Sequence, residues 1–104
     1  MTIKYNKLVR DLIPEIIESS GKTHLTRILD DKEYAEQLNT KLLEEVYEYL
    51  ESGKTEELAD IAEVFEAILA LKGVSTEKLA HVKAAKKASR GGFEKRIFLL
   101  QVDS

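Results

Sequence analysis

The chain has no cysteine and no tryptophan, and only one proline and one methionine among its 104 residues. Without cysteine, disulfides and thiol catalysis are excluded, and an intracellular setting is the expectation. Long apolar runs are also missing. None approaches the roughly 20 residues that a membrane span requires, and no stretch reads as a signal peptide, so a soluble, cytoplasmic protein with no membrane partner is expected. Positive charge is not in excess: the net charge of -3 argues against non-specific nucleic-acid binding. A single proline and five glycines leave no room for a disordered linker, and no internal repeat is present. The length predicts one domain spanning residues 1–104, large enough for a modest core.

What the chain has in quantity is charge, 34% of its residues, and the acids concentrate in one place. Residues 44–60 read EEVYEYLESGKTEELAD, an acid-rich run folded about one glycine. Two helices joined by a turn at Ser52-Gly53-Lys54 place Glu45 and Glu48 on the incoming helix and Glu57 and Asp60 on the outgoing one. Each pair has i, i+3 spacing and shares a helix face. In an antiparallel hairpin, residues equidistant from the turn lie side by side, which pairs Glu48 with Glu57 and Glu45 with Asp60.

Periodicity says where these acids point. Glu57, Asp60, Val64, Ala67 and Leu71 follow one three-four repeat, and Leu38, Leu42, Glu45 and Tyr49 follow another, so acids occupy positions on apolar interhelical stripes. Glu48 falls nearer the polar flank. Carboxylates gathered at a partly buried level repel one another and carry a desolvation cost of several kcal/mol, on the order of that for buried ions generally. A divalent cation removes that conflict. Oxygen ligands without cysteine or histidine favour Mg²⁺, then Mn²⁺, over Zn²⁺. Acid runs on helices are also commonly plain solvated faces, and spacing alone leaves both readings open.

Read in order, the chain predicts a mainly α architecture. Met1 to Arg10 is a short mixed segment carrying Lys4, Lys7 and Arg10. Asp11 can cap a first helix with Pro14 in its first turn, whose run IPEIIESS ends at Gly21. THLTRIL, residues 23–29, has the β-branched alternation of a strand. Asp30 followed by Glu33 is a variant of the capping box, opening a long helix from about Asp31 to Ser52. A third helix with apolar residues on both faces starts near Thr55, a suitable N-cap, and ends at Gly73. Its breadth of apolar surface predicts a further neighbour, a second copy of the chain. Ser75 caps a fourth helix on which Lys83, Lys86, Lys87 and Arg90 form one basic stripe, a solvated face or a phosphate-binding one. The tail FEKRIFLLQV, residues 93–102, has strand composition and is expected to pair with residues 23–29. His24 and His81 have no ligand partner by spacing and are assigned no chemistry.

EEVYE followed by EELAD resembles the acidic signature of the all-α nucleoside triphosphate pyrophosphohydrolases, the MazG-like superfamily that includes phosphoribosyl-ATP pyrophosphatase. YNKLVRDLIPEII, ILDDKEY and SRGGFEKRI are similar to its phosphoribosyl-ATP pyrophosphohydrolase-like branch, so the resemblance covers nearly the whole chain. It implies a four-helix MazG-like domain and a homo-oligomer, dimer or tetramer. It also implies Mg²⁺-dependent hydrolysis of a nucleotide between its α and β phosphates, releasing a monophosphate and pyrophosphate. On it, Glu45, Glu48, Glu57 and Asp60 match the metal ligands. Glu44 matches the leading acid of the first motif and is the candidate to take a proton from the attacking water. Lys83, Lys86, Lys87 and Arg90, with Lys7 and Arg10, are candidates to hold phosphates. Eight residues separate Glu48 from Glu57, fewer than is usual in the family, so substrate choice does not carry over. Two alternatives stand beside this reading: a phosphoribosyl-ATP pyrophosphatase of histidine biosynthesis, and a non-catalytic helical oligomerisation or regulatory protein.

Overall fold

In the computed structural model, which describes residues 1–104, the chain is helical throughout its regular structure: α1 (Ile13–Ser19), α2 (Asp31–Ser52), α3 (Thr55–Lys72) and α4 (Thr76–Arg90). Its internal packing divides it into two units, Met1–Gly73 and Val74–Ser104.

The first unit is built on the antiparallel packing of α2 against α3. The start of α2 follows from one side chain. Asp30 is extended and its Oδ1 accepts the Glu33 N–H at 2.9 Å, satisfying one of the amides a helix leaves free at its N-terminus. Glu33 does not return the bond as a full capping box would; it pairs with Arg27 at 2.7 Å. The residues forecast for the interhelical seam are those the packing covers. Leu38 and Glu45 are buried, and Leu42, Tyr49, Glu57, Asp60, Val64, Ala67 and Leu71 are half-buried, while Glu48 is exposed. Leu38 is the only buried apolar residue. In α1, Ile13 and Ile17 are half-buried but Ile16 is 59% exposed. Its N-cap position is Leu12, with no side-chain cap, so Asp11 does not cap it.

In the second unit, Ser75 Oγ accepts the Lys78 N–H at 3.1 Å and opens α4, which ends at Gly91. No residue of this unit is buried, and only Val74 and Leu79 are half-buried.

The two-stranded β element is not formed. Residues 23–29 carry no strand, and neither do 93–102. The two segments lie in different units, and β-branched content becomes a strand only where a second backbone completes the ladder. Residues 23–29 are tied down through side chains instead, His24 Nε2 to Glu18 Oε1 at 2.8 Å and Arg27 to Glu33. The tail makes one turn, Arg96 N–H to Phe93 C=O at 3.1 Å. It then leaves Ile97, Phe98, Leu99, Leu100 and Val102 exposed. No helix is long and apolar enough to cross a membrane.

Candidate metal centre

The hairpin turn sets the register of the acids. Gly53 takes a left-handed conformation, φ 65°, and its N–H reaches the Tyr49 carbonyl at 2.7 Å. A side chain there would be strained, which is why glycine ends so many helices. Lys54 is extended and occupies the N-cap position of α3 without a side-chain cap; Thr55, the anticipated cap, is the first helical residue instead. So short a connection returns the chain alongside itself, and Glu45 comes level with Asp60.

One oxygen from each of Glu45, Glu57 and Asp60 lies within 4.8 Å of the others, a group able to hold a metal ion. Glu45 is only 6% exposed, and its Oε2 is buried with no hydrogen-bond partner. A buried carboxylate grouped with other acids, one of its oxygens without a partner, fits a site that takes a cation. Burial raises the Glu45 carboxyl above its ordinary range, and the charge and hydrogen bonding of Glu48 and the charge of Asp60 push it the same way, while Lys41 pulls it down. Glu57 is raised by desolvation and then by Glu48 and Asp60, with Lys54 opposing. Glu48 therefore borders both Glu45 and Glu57, from the solvent side, without being one of the close group of three.

Two cations already stand at the acids. Arg10 Nη2 lies 2.7 Å from Asp60 Oδ1. Lys41 Nζ lies 3.5 Å from Glu45 Oε1 and 3.4 Å from Glu44 Oε2, and its side chain is only 19% exposed. Sequence reasoning missed Lys41, although its i, i+3 and i, i+4 spacing to Glu44 and Glu45 was a usable signal. Nothing local points Arg10 at Asp60, which lies 50 positions away. Lys7 sits over the Tyr5 ring at 5.8 Å. In the second unit, Lys83, Lys86, Lys87 and Arg90 are all exposed; Lys83 and Lys87 line a shallow depression with Ala80 and Ala84, and Lys87 Nζ is 3.9 Å from Glu94.

An uncharacterised protein of Mycolicibacterium smegmatis is 55% identical over 42 residues, a match covering 40% of this chain and 43% of that protein. No family model matches the chain, and no solved structure matches it.

Proposed function

We propose that the α2–α3 hairpin is the Mg²⁺ centre of a MazG-like nucleotide pyrophosphohydrolase, with Mn²⁺ an effective substitute. The observation that carries this reading is the buried Glu45 carboxylate, which has one oxygen without a hydrogen-bond partner and which forms one group with Glu57 and Asp60. Support also comes from the order of the motifs EEVYE and EELAD in the sequence. When bound, the cation would supply charge neutralisation at phosphate oxygens and a more acidic water.

The chain's own residues do the rest. Glu45, Glu57 and Asp60 hold the cation, and Glu48 is the exposed carboxylate that can join them. Glu44, half-exposed beside Lys41, accepts a proton from the water that attacks phosphorus. The α–β anhydride bond breaks, giving a nucleoside monophosphate and pyrophosphate. Lys7 and Arg10, in the same unit as the acids, are assigned to the phosphates, and the exposed α4 cations Lys83, Lys86, Lys87 and Arg90 are separate phosphate-binding candidates. A screen of nucleoside triphosphates with Mg²⁺ tests the reading. Release of pyrophosphate rather than orthophosphate is expected, and the absence of both with every nucleotide would favour a non-catalytic role.

The same reading includes a second copy of the chain. Leu43, Tyr47 and Leu50 are 59%, 65% and 69% exposed along α2, and Leu58 and Phe65 are 47% and 41% exposed along α3. These stripes lie opposite the covered seam of each helix. A cytoplasmic protein, working where nucleotides and Mg²⁺ meet, completes the proposal.

A further inference from the structure

Asp60 is the one acid of the close group that an arginine already holds. Arg10 approaches it through a single short contact, Nη2 to Oδ1 at 2.7 Å, and the Arg10 side chain is 58% exposed. The segment that carries it is anchored just before, at the half-buried Leu8 and Val9. A guanidinium has five N–H donors and grips a carboxylate best through two parallel bonds. With one bond made, most of the fork is left for another acceptor. Its partner Asp60 in turn shares the close group with Glu45 and Glu57.

We propose that Arg10 is an exchangeable counterion of this centre: it neutralises Asp60 until a divalent cation arrives, is displaced by it, and then offers its guanidinium to a phosphate-bearing anion on that cation. The proposal rests on the metal reading above and adds to it an antagonism between the two positive charges. A guanidinium within bonding distance of a ligand oxygen repels an incoming divalent ion, and its removal leaves Asp60 an unshared acceptor. A residue that merely oriented Asp60 would have the opposite effect, since its loss would weaken the cation site. The anion side follows from the chemistry of the freed group, a planar fork matched to phosphate oxygens.

Titration calorimetry of the full chain with Mn²⁺ alone, and then with methylenediphosphonate at saturating Mn²⁺, separates these roles in the parent, Arg10→Gln and Arg10→Lys. In Arg10→Gln, Mn²⁺ affinity should rise at least threefold while methylenediphosphonate affinity falls about tenfold. Arg10→Lys keeps the charge and should stay within about twofold of the parent for Mn²⁺. Equal or weaker Mn²⁺ binding in Arg10→Gln overturns the exchange while leaving the metal centre standing. Tighter Mn²⁺ with unchanged methylenediphosphonate affinity overturns the hand-over to phosphate. Mn²⁺ binding to none of the three proteins removes the metal centre and the exchange with it.

Discussion

Between α2 and α3, Leu38 is 3% exposed and Glu45 6%, whereas along α4 and the segment after it no residue is buried. The two regions also carry opposite charge, acids in the hairpin and Lys83, Lys86, Lys87 and Arg90 on α4. The difference teaches that clustering alone does not make a charged group unusual. The hairpin acids are partly withdrawn from water and face one another, so their proton affinity rises. The α4 cations extend into solvent, where charge is well hydrated and a ligand must bring its own reason to bind.

That contrast breaks most visibly at the acids. Glu57→Gln or Asp60→Asn should lower kcat/KM for pyrophosphate release by at least about a hundredfold, the scale expected when an interaction with developing charge is lost. The Glu57→Gln protein should fold without metal and melt no lower than the metal-free parent, because a repelling charge has been removed. A collapsed fold would assign the acids a structural part. Next in size come the α4 cations. Lys86→Ala or Arg90→Ala should cost about ten- to a hundredfold in kcat/KM, the scale of a hydrogen bond to a charged group. Parental rates in all four alanine variants would make the stripe a solvated face.

A pH series sharpens the comparison from the side of stability. The folded-state proton affinities of Glu45 and Glu57 lie above the ordinary carboxyl value of 4.5, so the metal-free fold binds protons more readily than the unfolded chain. Their contribution to stability is fully present below that value and is lost as pH rises through the raised one. Melting temperature of the metal-free protein should fall over that interval. The fall should flatten in Glu45→Gln, and a parent profile with no such fall would contradict the raised affinities. Assembly is checked by sedimentation: a mass above the 11.8 kDa of one chain is expected, with Leu50→Glu shifting it downward. Only the 11.8 kDa species at micromolar concentration would remove the second copy. The smallest effect is at the caps, where Asp30→Ala or Ser75→Ala should cost about 1 kcal/mol in denaturant unfolding.

Much of the hairpin was legible because its signals are local. Asp30 and Ser75 cap from one side chain to an amide three residues on, Gly53 closes a turn that fixes register, and helical periodicity then says which faces are covered. Glu45 and Asp60 meet because of those rules. Thr55 and Asp11 show the limit of reading a cap from residue type, since one backbone position decides whether the hydroxyl or carboxylate is used. THLTRIL and FEKRIFLLQV failed for a different reason. Alternation describes a segment that would suit a sheet, but a strand exists only with its neighbour, and these two segments belong to separate units. Arg10 beside Asp60 was illegible as a contact because it joins residues 50 positions apart, whereas Lys41 carried a helical spacing that could have been used.

The central claim is that Glu45, Glu57 and Asp60 hold a divalent cation, and calorimetric titration of Mn²⁺ into the metal-free parent and Glu45→Gln tests it most directly. Saturable binding by the parent, with at least tenfold weaker binding by Glu45→Gln, is the expected result. Equal affinity in the two proteins, or no binding by the parent, would contradict it.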